Sequence, residues 1–151
     1  SVVAQEQARL LMLRAAQAFP EIKLLRTVPG IGPIGACRFS AYIHTPSRFS
    51  SKRKLWKYCR LSVSHRSSNG KPLRRPRLDR SGCGRLKDVS RKAFDAAVRS
   101  RQDNGFKRTY LRALETTHDK THARLTVQRK IVSTLRAMWL RRTPYCDDLT
   151  R

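Results

Sequence analysis

A run of five residues, PGIGP at positions 29–33, is the feature that most constrains the fold. Its two glycines permit backbone conformations that other residues avoid. Pro33 fits the first position of a helix, because an N–H group at that position has no partner inside the helix and its absence costs nothing. Apolar residues at helical spacing lie on both sides of the run. We therefore predict a short helix over 22–28, a tight turn, and a second helix over 34–43 packed against the first.

This turn resembles the hairpin of helix-hairpin-helix DNA-binding modules. In such a turn the glycines let the backbone approach a phosphate, and N–H groups at the start of the second helix bind it with the help of the helix dipole. The alternative is a turn that only packs two helices. The nearby cations Lys23, Arg26 and Arg38 favour phosphate contact, so Gly30 and Gly32 are candidate nucleic-acid-binding residues with exposed N–H groups.

The charge of the chain narrows the choice of partner. Its 151 residues include 34 Lys and Arg against 10 Asp and Glu, a formal net charge of +24. A domain with this imbalance repels itself and needs a partner of opposite charge, of which polyphosphate backbones are the commonest. Four cysteines without metal-ligand spacing, and no apolar run long enough to cross a bilayer, predict a reduced protein without a membrane partner.

The stretch after residue 60 changes in pattern. Residues 61–65 alternate like a strand, the string SSNG at 67–70 is typical of a turn, and residues 73–78 fit a returning strand. Many cations follow, so we predict a basic β-hairpin that binds phosphates in a salt-sensitive way, with a solvated arm as the alternative. The candidate nucleic-acid-binding residues here are Arg66, Lys71, Arg74, Arg75, Arg77, Arg80, Arg85 and Lys87.

Helical periodicity fills the rest of the chain. Residues 1–20 are interpreted as one helix forming the end of a coiled coil, and residues 147–151 as a tail. The predicted fold of 21–146 is mainly α: a helix-hairpin-helix-like element plus a helical bundle with a small basic β-hairpin insert. Further helices are predicted around 51–60, 86–97, 106–114 and 125–139.

Two serines, Ser67 and Ser68, lie at the head of the basic stretch. Turn chemistry alone explains serines in such a string. A serine attacks a phosphodiester only when a base takes its proton and cations stabilise the charge gathered around phosphorus. Arginines meet the second need, and His65 can handle a proton, although strand alternation would place it on the opposite face. The residues by themselves leave open whether either serine reacts.

Several short motifs occur in an order that is similar to the C-terminal domain of IS110/IS116/IS902 family transposases. Members of that family typically have PGIGP, RF, SGGK, KRGN–RLR and a late PY after a long helix. The order and spacing are more specific than any single motif, and the resemblance covers residues 24–146. The matching strings are LRTVPGIGP at 25–33, SRF at 47–49, SNGK at 68–71, DRSGCGRLK at 79–87 and TPY at 143–145.

The resemblance implies a part in DNA transposition and recombination by an insertion sequence, a bacterial or archaeal mobile element. It implies that a serine just before the family's glycine pair forms a covalent phosphoserine link with DNA; that position is Ser68, with Ser67 as the fallback. The cysteine pattern and the lack of a bilayer-spanning run, described above, predict a cytoplasmic, nucleoid-associated protein. In such transposases a RuvC-like N-terminal domain supplies four metal-binding acids, and an element-encoded guide RNA directs some members.

These implications set the expected cofactors and partners. We expect no cofactor in this chain, because the family's divalent metal belongs to the N-terminal domain. DNA is the expected partner, with a guide RNA in some members and a homo-oligomer in the full-length protein. Because the chain starts at Ser1 within a helical stretch, we expect a fragment that does not recombine DNA alone.

The chain also departs from the family pattern. Asn69 replaces the first glycine of the pair, Cys83 and Gly84 replace polar residues, and the segment 60–63 lacks a glycine and a proline before the serine. These changes alter the turn that presents the serine. The leading interpretation is the serine-bearing, DNA-binding half of a transposase. The alternatives are a non-catalytic helix-hairpin-helix nucleic-acid-binding module and a basic ribonucleoprotein component.

Overall fold

Helices dominate the structure, which confirms the predicted mainly α fold. The computed structural model describes residues 1–64, 67, 68, 70–72 and 77–147, and only the backbone of residues 64, 67, 68, 71 and 72. The helices are α1 (Val2–Ala16), α2 (Glu21–Leu25), α3 (Pro33–Ile43), a short 3₁₀ helix (Pro46–Arg48), α4 (Lys52–Tyr58), α5 (Gly84–Arg99), α6 (Gly105–Thr117) and α7 (Lys120–Arg141).

Polar side chains cap several helices at their first residues. The Ser51 hydroxyl accepts a hydrogen bond from the Lys54 N–H at the start of α4, at 3.3 Å. The Asn104 side chain accepts one from the Lys107 N–H at the start of α6, at 2.9 Å, and Asp119 caps α7 in the same way. These caps satisfy N–H groups that have no partner inside a helix, so α4, α6 and α7 begin where the sequence supplies a cap.

The last helix, α7, is the centre of the core. Val127, Ile131, Leu135 and Met138 are fully buried at spacings of three and four residues. Helix α7 packs against α2, α4, α5 and α6. Because each buried side chain of this size stabilises the fold by about 1.5–3 kcal/mol, the other helices depend on α7 for their common core.

Helices α2 and α3 pack as a pair, as predicted. Leu25 and Val28 on one side, and Phe39 and Ile43 on the other, are buried in the core. Helix α2 ends at Leu25, three residues earlier than predicted. The residue before a proline avoids helical conformations, so Pro29 keeps Val28 out of the helix.

Helix α1 joins the core only through its last turns. Met12 and Ala16 pack against the core, and α1 contacts α3. The helix is confirmed, whereas the coiled coil and the domain boundaries at 20 and 146 stay predictions. Apolar residues of α1 that remain exposed are Val2, Val3, Leu10 and Leu11.

The hairpin insert consists of two antiparallel strand pairs. The strands are β1 (Val63–Ser64), β2 (Ser67–Ser68), β3 (Lys71–Pro72) and β4 (Arg77–Leu78), with β1 paired to β4 and β2 to β3. The predicted turn over 67–70 is wrong in its first half, because both serines lie in β2. Gly70, with a φ of +76°, lies in a two-residue connection of the kind that glycine favours, so pairing resumes at residue 71.

Residues 143–147 fold back over the α2–α3 turn and the start of α6. The Tyr145 N–H donates to the Thr27 hydroxyl at 2.8 Å, and the Tyr145 ring lies 5.8 Å from that of Phe106. The Asp147 carboxylate binds the Arg108 guanidinium and accepts from the Gly105 N–H at 3.2 Å. The end of the described chain thus fastens the turn to α6.

Candidate nucleic-acid interface

The two glycines of the α2–α3 turn have different surroundings. Gly30 has a φ of +88°, and a Cβ built on it would lie 2.2 Å from the carbonyl oxygen of Ala93 in α5. Gly32 is exposed, and a Cβ there would meet no atom within 4 Å. Gly30 therefore allows the turn to pack directly on the α5 backbone, while Gly32 lies on the open side.

The start of α3 beside Gly32 has unsatisfied N–H groups. Gly32 is the N-cap residue, no side chain caps the helix, and Pro33 follows. Among the nearby cations, Lys23 and Arg26 are exposed, and Arg38 lies 3.7 Å from the Asp88 carboxylate. Uncapped N–H groups and the positive end of a helix dipole attract anions. The open side of the turn therefore has the chemistry that phosphate contact requires.

The predicted serine lies next to the tip of the hairpin. In the strand register, Ser68 is opposite Lys71 and Ser67 is opposite Pro72. Lys71 is one of the cations predicted to contact phosphate, so the backbone brings a serine and a cation to paired positions. Their side chains, and the whole of Arg66, Arg74 and Arg75, lie outside the described residues.

The remaining predicted cations follow the hairpin into α5. Arg77 is exposed in β4, and Arg80 is exposed just after it. Arg85 is exposed and Lys87 is half-buried in the first turn of α5. The described members of the set thus extend from the hairpin to the first turn of α5.

Backbone contacts fix the base of the hairpin to α4. The Cys83 N–H donates to the Tyr58 carbonyl at 2.6 Å, and the Arg60 Nε–H donates to the Gly82 carbonyl at 3.1 Å. Gly82, with a φ of +106°, packs so closely that a Cβ would lie 2.4 Å from the Tyr58 carbonyl oxygen. Burial raises the pKa of the Cys59 thiol to about 12, which keeps this thiol protonated at neutral pH.

A second anchor comes from α7. The Arg129 Nε–H donates to the Leu61 carbonyl at 2.7 Å, and its guanidinium lies over the Trp56 ring at 5.3 Å. Partial burial of its guanidinium lowers the pKa of Arg129 below its ordinary value. This arginine ties the chain entering the hairpin to the central helix, so the hairpin extends from a rigid base.

The cations of α4 are not among the residues that the sequence motifs predicted to bind nucleic acid. Lys52, Arg53, Lys54 and Lys57 are all exposed on this helix. The available signal was the absence of acids: residues 22–78 contain fourteen Lys or Arg and no Asp or Glu. A charge run of one sign over so long a segment predicts a nucleic-acid surface better than any one motif within it.

The residues described here do not match the acidic metal site that the resemblance places in a RuvC-like domain. Across residues 1–64, 67, 68, 70–72 and 77–147, no group of three or more His, Cys, Asp or Glu side chains could hold a metal ion. None of the helices in that same part is long and apolar enough to span a bilayer.

Comparison with known proteins gives one family. A family model described as "Transposase IS116/IS110/IS902 family" matches residues 22–111, which is more than half of the chain. The matched segment includes the α2–α3 turn, α4, the hairpin and α5. A search of the curated proteins found no match.

Proposed function

The chain belongs to the IS116/IS110/IS902 family of transposases, and from this premise we propose that it is the DNA-binding, serine-bearing C-terminal part of such an enzyme. Membership gives the chain a role in transposition. The observation that carries DNA binding is the charge, a net +24 with no acid between residues 22 and 78. Such a surface gains free energy by displacing the counterions condensed on DNA.

In this proposal the α2–α3 turn positions the DNA. Gly32 and the first N–H groups of α3 contact a phosphate on the open side of the turn. Gly30 acts indirectly, because its close packing on Ala93 holds the turn in place. Contacts of this kind fix the register of the protein on DNA and carry no sequence information.

The proposed nucleophile is Ser68, with Ser67 as the fallback. The serine oxygen forms a bond to phosphorus while one phosphodiester P–O bond breaks, and the departing deoxyribose oxygen takes up a proton. The serine proton passes to a base. One P–O bond replaces another, so the step needs no oxidant or reductant. The cations assigned to stabilise the charge on the phosphoryl oxygens are Arg66, Lys71, Arg74, Arg75 and Arg77.

We propose that catalysis needs a second domain. The RuvC-like acidic domain, a homo-oligomer and, in some members, a guide RNA are the partners that the family resemblance implies. The chain alone is expected to bind DNA and not to exchange strands, in the cytoplasm and close to the nucleoid.

DNA binding is tested by titrating a fluorescent duplex with the chain at several salt concentrations. The affinity should fall steeply as salt rises, with a logarithmic slope of about −0.9 for each phosphate contacted. A slope near zero would contradict the proposal.

The serine is tested by supplying a RuvC-like partner domain, its RNA if one exists, and a cognate DNA. A covalent protein–DNA adduct should appear on denaturing gels and be lost with Ser68→Ala. Adjacent strand positions lie on opposite faces of a ribbon, so loss with Ser67→Ala alone would move the assignment by one residue. An adduct that persists in the double variant would exclude the serine mechanism, and no adduct from the wild type would favour a non-catalytic DNA-binding module.

A further inference from the structure

Helix α4 carries four exposed cations, Lys52, Arg53, Lys54 and Lys57, which we call the α4 basic surface. In the part of the chain that the structure describes, none of the four forms an ion pair. Two exposed cations of α5 differ, since Lys92 pairs with an aspartate four residues earlier and Arg91 with one four residues later. The positive charge of the α4 basic surface is therefore not neutralised by any acidic side chain among the described residues.

The positions of these cations oppose the preferences of a helix. Lys52, Arg53 and Lys54 occupy the first turn, where the helix dipole is positive, and no acid accompanies them. Arg53 and Lys57 are four residues apart, a spacing at which like charges repel. The sequence thus breaks two local rules on one short helix, and such departures are expected where a surface serves function.

Other contacts hold α4 in place. Leu55 is fully buried, and the Trp56 Nε1–H donates to the Ser133 hydroxyl at 2.8 Å and to the Arg129 carbonyl at 3.1 Å. Ser51 caps the first turn. Helix α4 is therefore docked by its apolar face and its cap, and its charges face solvent.

A neighbouring arginine extends this surface. The Arg48 guanidinium lies 4.5 Å from the centre of the Tyr58 ring and donates to the Tyr42 carbonyl at 3.3 Å. Tyr58 follows Lys54 by four residues and so lies on the same stripe of α4. Arg48 is exposed, and these two contacts orient its charge beside the α4 basic surface.

The α4 basic surface also adjoins the hairpin. Gly82, at the return from the hairpin, packs so that a Cβ would lie 2.8 Å from the Lys57 carbonyl oxygen. The chain then enters α5 with the exposed Arg85. The end of α4 and the start of α5 therefore meet at the base of the hairpin that carries the serines.

We propose that the α4 basic surface binds the phosphate backbone of the DNA duplex beside the hairpin, and that it sets where the DNA enters the site. This inference rests on the proposed DNA-binding function. It adds a contact area that neither the turn nor the hairpin provides. Its chemistry is backbone contact, which predicts affinity without a base preference.

The test compares two variants of the full chain with equal net charge. The first is Lys52→Gln/Arg53→Gln/Lys54→Gln/Lys57→Gln. The matched control removes four other exposed cations that have no ion pair among the described residues, as Arg99→Gln/Arg101→Gln/Arg112→Gln/Lys120→Gln. Binding to a labelled duplex and to a structured RNA hairpin is measured by fluorescence anisotropy at several salt concentrations.

We expect the α4 variant to bind the duplex at least about tenfold more weakly than the control, with a salt slope flatter by about two to four units, since each lost phosphate contact removes about 0.9. Its melting temperature should equal or exceed that of the wild type, because removing first-turn cations relieves the helix dipole. Equal affinities for the two variants would overturn the inference and leave the proposed function standing. A wild type that binds no duplex would overturn both, and a loss confined to RNA would overturn the assignment to DNA.

A measurement on the wild type covers the case in which the α4 variant does not fold. Acetylation of lysines by an amine-reactive ester is followed by mass spectrometry with and without duplex. Bound DNA should protect Lys52, Lys54 and Lys57 and leave Lys120 reactive. Unchanged reactivity of the three α4 lysines in saturated complex would refute the inference.

Discussion

Replacing Gly30 with alanine should destabilise the fold through a contact with α5. The new Cβ would lie 2.2 Å from the Ala93 carbonyl oxygen, and the φ of +88° is strained for any residue with a Cβ. The strain costs about 1–2 kcal/mol, and overpacking against a backbone adds about 1–3 kcal/mol. Lower entropy of the unfolded chain offsets about 0.4–1 kcal/mol. We expect a net loss of about 1–5 kcal/mol in the free energy of unfolding.

Gly32→Ala is the matched control. It lies two residues away in the same turn, has an ordinary φ of −90°, and has open space where its Cβ would be. Alanine is a poorer N-cap than glycine by about 0.5–1 kcal/mol, but it also reduces the entropy of the unfolded chain by a similar amount. These effects oppose each other, so the free energy of unfolding should change by no more than about 0.5 kcal/mol.

Urea unfolding followed by far-ultraviolet circular dichroism measures both values. The denaturant slopes of the three proteins must agree, so that a shift in midpoint reports stability alone. The melting temperature of Gly30→Ala should fall by at least about 2 °C. If the free energies of unfolding of Gly30→Ala and Gly32→Ala differ by less than about 0.5 kcal/mol, α5 must move to make room for the new Cβ. That result would refute the close-packing explanation.

Two further predictions concern the same region. Gly32→Val should weaken duplex binding in an anisotropy titration while leaving the urea midpoint near that of the wild type, and unchanged affinity would exclude phosphate contact at the turn. Hydrogen bonds from Arg108 and, to a smaller extent, from Tyr145 hold the pKa of Asp147 below its ordinary value. A carboxyl group whose pKa is lower in the folded than in the unfolded protein stabilises the fold at pH values above its unfolded-state pKa. The stability advantage of wild type over Asp147→Asn should therefore be present above about pH 4 and disappear as pH falls further. Thermal melts at a series of pH values measure that advantage, and a difference independent of pH would contradict the assignment.

Local signals predicted most of the helices correctly. Apolar residues three and four apart in α5 and α7 identify buried faces. In α6 the same spacing predicts the helix, although Phe106 is buried and Leu111 is exposed. The pairing of α2 with α3 also follows from local sequence, because Pro29 and Pro33 leave space only for a tight turn between two apolar segments. In each case the responsible residues are close together in the chain.

Features that depend on distant residues were not predictable. Nothing near Gly30 in sequence shows that Ala93 lies against it, and nothing near Thr27 indicates its hydrogen bond with Tyr145. The hairpin register was mistaken for a related reason. A glycine at position 70 fits several turn lengths, and only the pairing of Ser68 with Lys71 selects the shortest. The cations of α4 were visible in the sequence, but their lack of ion-pair partners among the described residues became clear only from the structure.

The central position of α7 also has a consequence for synthesis of the chain. Helices α2, α4, α5 and α6 all pack on α7, which is translated after all four of them. At about 5–20 residues per second, roughly 6–25 s separate the translation of α2 from the end of α7. During that interval the acid-free segment 22–78 has no completed core to fold on, and its cations are accessible to any nearby polyanion, including the ribosome's own RNA. The described helices should therefore gain their common core only after α7 has been translated, and a chain stopped before residue 120 should lack that core.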